Sequence, residues 1–188
     1  MKSECSVIVI DNFYENPLEV REFALSQEFH RDQNHYPGNR SKSFANEQIR
    51  LKFDKYVSPF TGQITSFNTS RDYRNVNGAF QYTTSKDRSW IHRDSDTEWA
   101  AVIYLTPDAP LSSGTGFYIP KSQDTIRKPY DITAYDITKW DLVDRIGNVF
   151  NRLILFNSKR YHSSMDYFGN SPQDGRLFQV FFFSCEQP

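Results

Sequence analysis

The sequence holds four histidines, His30, His35, His92 and His162. Two of them have neighbours suited to metal chemistry. In Trp90-Ile91-His92-Arg93-Asp94 an imidazole and a carboxylate stand two positions apart. Residues i and i+2 of a strand face the same way, with Cα atoms roughly 6–7 Å apart, so both side chains can reach one ion. Imidazole plus carboxylate suits Fe(II), and a second imidazole completes a facial set of ligands that leaves coordination positions open. His162 is the candidate third ligand. It follows the apolar run Leu153-Ile154-Leu155-Phe156 and the polar turn Asn157-Ser158-Lys159-Arg160. Open positions belong to catalytic rather than purely structural metal sites. A lone His-x-Asp triplet is common, and a histidine at a strand end more often packs or solvates than binds metal, so the elements around these residues matter.

The chain has 188 residues, about one domain's worth, expected as a single unit over 1–188. Its formal net charge is −1, with both signs interspersed. That gives no electrostatic footprint for nucleic acid. The apolar runs are too short for a membrane-spanning helix, and Met1-Lys2-Ser3-Glu4 does not open a signal peptide. A cytoplasmic protein is expected, with Cys5 and Cys185 as reduced thiols. Aromatic residues make up 16% of the chain. A core built from rings favours pleated strands over helical bundles.

Residues 1–63 read as a strand and helices. Val7–Ile10 is a short buried strand. Asn16-Pro17-Leu18-Glu19 starts a helix, with Asn16 as cap, Pro17 in the first helical position and Val20, Phe23 and Ala24 on its buried face. Tyr36-Pro37-Gly38 suits a type II turn. A second helix is expected over Ala45–Tyr56, with Ile49, Phe53 and Tyr56 on one side. From about Ile64 the pattern changes to strands: Ala79–Thr83, Ser89–Asp94, Trp99–Thr106, Gly116–Ile119, Arg152–Asn157 and Leu177–Ser184. A short helix is expected near Thr138–Ile146. The run Leu177–Phe183 is apolar on both faces and should be central. The fold class is mostly β with supporting α, an antiparallel sandwich or barrel with N-terminal helices on one face.

From Tyr82 onward the chain resembles the iron(II)/2-oxoglutarate-dependent oxygenases, in particular the prolyl-hydroxylase-like branch. The resemblance rests on His92-x-Asp94, the distal His162, and Arg176 opening Gly175-Arg176-Leu177-Phe178-Gln179-Val180-Phe181-Phe182. It implies a double-stranded β-helix, or jelly roll, over 64–188, interrupted by an insertion at about 121–144 that borders the active-site mouth. It implies Fe(II) on His92, Asp94 and His162, with Arg176 pairing with the distal carboxylate of 2-oxoglutarate. A planar fork is apt for a buried carboxylate. By the same resemblance Tyr82 lies near the iron-bound end of 2-oxoglutarate, and the Tyr104 hydroxyl contacts the distal carboxylate beside Arg176. For each tyrosine the ordinary alternative is a ring packed in an aromatic core.

The implied reaction uses dioxygen and couples decarboxylation of 2-oxoglutarate to hydroxylation of a C–H bond, on a peptide, an amino-acid side chain or another small molecule. Halogenases of this family lack the carboxylate, so Asp94 favours hydroxylation, with desaturation and ring chemistry as the alternatives. Two other readings use the same residues: a cupin-like metal enzyme that needs no 2-oxoglutarate, and a non-catalytic jelly-roll binding module. His30, His35 and Arg40 form a polar loop upstream of the barrel, read chiefly as solvated. The alternative is a substrate loop in which Arg40 meets an anionic group.

Overall fold

A computed structural model describes residues 5–31, 36–72, 74–122 and 134–186. His35 and residues 123–133 of the expected insertion lie outside the described residues. Ten strands and two α-helices are described: β1 Val7–Ile10, α1 Pro17–Leu25, β2 Asn39–Arg40, α2 Glu47–Thr61, β3 Ile64–Phe67, β4 Phe80–Thr83, β5 Trp99–Tyr104, β6 Thr115–Pro120, β7 Trp140–Ile146, β8 Leu153–Asn157, β9 Tyr161–Ser164 and β10 Arg176–Cys185. The larger sheet runs β1-β8-β5-β10-β4-β2, with β3 also paired to β10, and the smaller runs β7-β6-β9. All these pairings are antiparallel.

The doubly apolar last strand is central because both faces of the large sheet are covered. Leu177, Phe181, Phe183 and Cys185 face the helices, in a core with Phe53, Val57, Phe80, Trp99, Leu153 and Leu155. Phe178 and Val180 point the other way, toward Ala100, Tyr104, Ile154, Phe156 and Phe117 of the small sheet. The aromatic excess fills the first of these layers. Phe53 meets Phe181 edge-on at 4.9 Å and sits 5.6 Å from Phe13 and 5.9 Å from Phe183. Such pairs add stabilisation beyond the area they bury.

Helix α2 begins at Glu47, two residues after the expected Ala45, with Asn46 Oδ1 accepting the Ile49 N–H at 2.9 Å. It runs past the expected end at Tyr56 to Thr61 and contains Pro59. Phe53, Val57 and Thr61 are all buried at i, i+4 spacing, so continued burial of one face outweighs the proline in the last turn. Helix α1 forms without a side-chain bond from Asn16, and only Ala24 of its apolar face is buried. Phe23 stays 47% exposed.

Three expectations need correction. Val7–Ile10 is an edge strand and half-exposed, with Val9 42% accessible. The helix expected near Thr138–Ile146 is a single 3₁₀ turn, Ile137–Lys139, followed by β7. This strand is mostly exposed, so its sequence carries little burial pattern, and pairing with β6 decides its state. Ser89–Asp94 is not a strand. Only His92 makes a bridge, to His162 on β9, a strand whose short polar sequence carries no strand pattern. Both cysteines are free thiols. Among the described residues no helix is long and apolar enough to cross a membrane.

Candidate active site

The segment before β5 is held to the small sheet by its backbone. His92 N–H donates to His162 O at 3.0 Å, and His162 N–H to His92 O at 2.8 Å, which sets the two histidines opposite one another. Ile91 packs with Tyr118, Trp140 and Tyr161 away from the cavity, and its N–H donates to Ala134 O at 2.8 Å. Trp90, His92 and Asp94 line the cavity. On β9, His162 pairs with Phe117, one of the residues that face the large sheet. The Asp94 N–H bonds Ser158 O at 2.9 Å. Lys159 Nζ clasps the same turn, donating to Asp94 O at 3.2 Å and Ser95 O at 2.7 Å.

The tautomers follow from these contacts. His92 Nδ1 lies 3.1 Å from Trp90 O, and His162 Nδ1 lies 2.9 Å from Arg160 O. A carbonyl can only accept, so each Nδ1 carries the proton and each neutral ring presents the Nε2 lone pair. Both Nε2 atoms face Asp94, at 3.8 Å from Oδ1 for His92 and 3.9 Å from Oδ2 for His162. These separations are too long for hydrogen bonds. Asp94 Oδ2 is buried and has no hydrogen-bond partner among the described residues. One ligand atom from each of the three side chains falls within 4.8 Å of the others. Burial, reinforced by the neighbouring His92, pushes His162 down to about 3. Burial raises Asp94 above the usual carboxylate value, against the charges of His92, Lys159 and Arg40. Two lone pairs and an unsatisfied carboxylate directed at one point are the donor set a divalent cation requires.

These residues open onto a cavity of about 970 Å³. Arg176 lies in its wall and is 1% exposed. Its Nε donates to Ser113 O at 2.8 Å and its Nη2 to Gly114 O at 3.4 Å. Its guanidinium sits 4.3 Å over the Phe178 ring. Nη1 has no partner, and no acid pairs with this cation among the described residues. A guanidinium keeps its charge when buried, so the arrangement calls for an anion. Hydroxyls gather in this part of the cavity: Thr115, Ser164 and Ser89 line it, and Ser164 Oγ lies 2.9 Å from the buried Tyr167 hydroxyl.

The two tyrosines part company. Tyr104 pairs with Phe178 on the cavity side of the sheet. It is fully buried, does not line the cavity, and hydrogen-bonds Thr115 Oγ1 at 2.8 Å. Tyr82 is turned away. It pairs with Leu177 on the helix side and meets Phe29 edge-on at 5.0 Å. Adjacent strand residues face opposite ways, so Gln81 looks into the cavity. Arg40 also lines the cavity, opposite Gln81 in the β2–β4 pair. His30 is bridged to Arg40 through the backbone and is not part of the metal cluster. Reading the sequence alone missed Thr115, Ser164, Tyr167 and Gln81. Small polar residues and single tyrosines carry no spacing signal.

A family described as being of unknown function, DUF6445, matches residues 1–136. The chain belongs to that family. The match takes in His92 and Asp94 and ends before His162 and Arg176. No curated protein matches the sequence. Among solved structures, the DUF6445 chain is similar to HygX from Streptomyces hygroscopicus with nickel and 2-oxoglutarate bound. That likeness has a TM-score of 0.63 at 11% identity, over 96% of this chain and 83% of HygX. It is also similar to a prolyl hydroxylase from Trichoplax adhaerens in complex with a peptide fragment of the hypoxia inducible factor oxygen degradation domain. There the TM-score is 0.56 at 15% identity, over 95% and 83% of the two chains. The third is SnoN, a non-heme alpha ketoglutarate dependent epimerase from nogalamycin biosynthesis, with a TM-score of 0.60 at 13% identity over 93% and 76%. At these identities the likeness establishes a fold. The DUF6445 chain, with its two helices and antiparallel sheets, has an architecture consistent with the double-stranded β-helix of these proteins.

Proposed function

We propose that the protein is an Fe(II)/2-oxoglutarate-dependent oxygenase that hydroxylates a C–H bond. The observation that carries this reading is the presence, in one cavity, of a carboxylate whose buried Oδ2 has no partner and which faces two imidazole Nε2 atoms, and of a buried guanidinium with an unpartnered Nη1 and no acid beside it among the described residues. In this reading His92, Asp94 and His162 hold the iron. Arg176 holds the distal carboxylate of 2-oxoglutarate, helped by Thr115, whose hydroxyl Tyr104 orients. Tyr82 takes no part, because it packs under the helices. When bound, iron with 2-oxoglutarate and dioxygen supplies oxidative decarboxylation to succinate and carbon dioxide, coupled to oxidation of the substrate.

The chain's own residues perform the positioning. The Nδ1–H bonds to Trp90 O and Arg160 O hold both imidazoles in the metal-binding tautomer, a role such outer contacts commonly serve. The Phe156 ring, 4.7 Å from that of His162, keeps its inner side dry. Phe178 covers the Arg176 cation and keeps water from competing for the carboxylate. The rest of the cavity is left for substrate. The peptide bound by the prolyl hydroxylase neighbour makes a peptide or amino-acid side chain one suitable class.

Anaerobic calorimetric titration of the Fe(II)-loaded protein with 2-oxoglutarate tests the assignment. Saturable binding that needs both Asp94 and Arg176 is expected. Binding unaffected by Arg176→Met would point instead to a metal enzyme that does not use 2-oxoglutarate. A 2-oxoglutarate consumption screen against amino acids, peptides and cell extract, read as gain of one oxygen atom by mass, then identifies the substrate.

A further inference from the structure

The cavity is larger than a metal and one small diacid need, and strand β10 runs along its length. Arg176, Phe178, Val180 and Phe182 line it at alternate positions. The rise of an extended strand sets Arg176 and Phe182 roughly 20 Å apart. The Arg176 end is fully buried, against Ser113 and Gly114 where β6 begins. The Phe182 end is only half-buried. In the reading above the cosubstrate takes the first end, which leaves the second for the substrate.

One row of the large sheet crosses this second part at the height of the metal ligands. Strand pairing sets Phe156 of β8, Ala100 of β5 and Phe182 of β10 side by side, and all three line the cavity. The Phe156 ring lies 4.7 Å from that of His162. Two strand spacings put the Cα atoms of Phe156 and Phe182 roughly 10 Å apart, with only the Ala100 methyl between their side chains. The row is therefore a slot with an alanine floor and ring walls. It has the width for one hydrocarbon ring or branched side chain. In the neighbouring row Val102 pairs with Val180, and both also line the cavity. Phe182, unlike Phe181 and Phe183, meets no other aromatic ring among the described residues. Its ring is nonetheless held in place through its backbone. Neither β3 nor β4 pairs with it, and its N–H donates instead to Asn77 Oδ1 at 2.7 Å.

The polar wall beside the slot is already engaged. Asn77 Nδ2 donates to Asn68 O at 3.0 Å. Asn75 Nδ2 donates to Ser70 O at 2.8 Å and to Ser43 Oγ at 3.1 Å, and Asn75 Oδ1 accepts the Asn77 N–H at 3.0 Å. A hydroxyl-rich ligand here would give up water for amides committed to the chain itself, whereas an apolar group loses nothing by leaving water.

We infer that the slot formed by Phe156, Ala100 and Phe182 receives an apolar group of the substrate, an aliphatic ring or branched side chain, and sets it beside the metal ligands. The substrate is then a hydrocarbon-bearing molecule rather than a polyol. The inference rests on the oxygenase reading in calling the occupant a substrate, so its test uses neither metal nor 2-oxoglutarate.

The metal-free protein, carrying ¹³C-labelled alanine and valine methyl groups, is titrated with cyclohexanecarboxamide and with myo-inositol, a polyol of the same ring size. Saturable binding of cyclohexanecarboxamide is expected, with nuclear Overhauser contacts from its ring protons to the Ala100 and Val180 methyls, and at least tenfold weaker binding of inositol. Ala100→Leu fills the slot and should weaken ring binding roughly tenfold or more. Phe182→Ala removes one wall at a half-buried position and should weaken it several-fold. It decides the matter if the leucine variant does not fold. Equal binding of the two probes, no saturable ring binding, no contact to the Ala100 methyl, or undiminished binding in the folded variants would overturn the inference. Ring binding in the slot without any 2-oxoglutarate binding to the metal-loaded wild type would leave the slot standing and sink the oxygenase reading. The reverse pattern would do the opposite.

Discussion

Arg176→Met separates what this cation does for the fold from what it does for a ligand. Methionine keeps much of the stem and can lie against Phe178 and Tyr104 as the guanidinium does. The carbonyls it abandons keep other donors. Ser113 O retains Asn148 Nδ2 at 3.4 Å, and Gly114 O retains the Met165 N–H at 3.1 Å. No acid is left behind, because none pairs with Arg176 among the described residues. An unpaired buried cation costs free energy, so the ligand-free variant should be at least as stable as wild type. With 2-oxoglutarate the outcome reverses. Two charge-assisted hydrogen bonds at ~1.5–3 kcal/mol each amount to ~3 kcal/mol or more, at least about a hundredfold in Kd. Urea unfolding of the Mn(II)-loaded protein with and without 2-oxoglutarate measures both effects. At a ligand concentration about 100 times the wild-type Kd, wild type gains about 2.7 kcal/mol, whereas the variant gains about 0.4 kcal/mol or less. A ligand-free variant destabilised by several kcal/mol would show Arg176 to be a structural pillar. An undiminished gain from 2-oxoglutarate would remove it from the cosubstrate site.

Four further outcomes are expected. His162 is held at about 3 against an ordinary 6.5, so below about pH 6.5 the unfolded chain binds a proton the folded chain refuses. Stability of the metal-free protein should then fall on acidification, by at most about 1.4 kcal/mol per pH unit. Asp94, whose carboxyl is raised, works the other way just above its ordinary 3.8. His162→Gln should flatten the fall, and identical urea midpoints against pH in both proteins would contradict this. Lys159→Met should weaken Mn(II) binding several-fold by loosening the Asp94–Ser95 turn, with Lys159→Arg restoring it; calorimetric Kd values that do not change would dismiss the clasp. Tyr82→Phe should leave 2-oxoglutarate affinity within about twofold of wild type, since the ring lies on the helix side. A larger loss would return Tyr82 to the site. Phe53→Ala, at a fully buried ring, should cost about 3–5 kcal/mol in urea unfolding, and a loss under about 1 kcal/mol would mean that the helix layer collapses to fill the gap.

Parts of this molecule are legible locally. The runs at β5, β8 and β10 are continuous and apolar, so a buried sheet is the arrangement that removes them from water, and β10 has to be central because neither of its faces can meet solvent. The apolar face of α2 is equally local, with Phe53 in the core and Ile49 and Tyr56 packed against it. The small sheet is not, because β7 is exposed and β9 is short and polar. Their pairing with β6, rather than their composition, makes them strands.

The same division runs through the site. Residue types and spacing offer His92, Asp94 and His162 as a ligand set, and the resemblance to the oxygenases adds Arg176. Whether they meet is a matter of main-chain hydrogen bonds between distant segments, above all the reciprocal pair between His92 and His162. Tyr82 and Gln81 show the limit most clearly. They are adjacent, and which of the two enters the cavity depends on parity in the pairing of β4 with β10. A strand side chain changes face with every residue, so a register that only the assembled sheet sets decides that Gln81 steadies Arg40 over the mouth while Tyr82 packs beneath the helices.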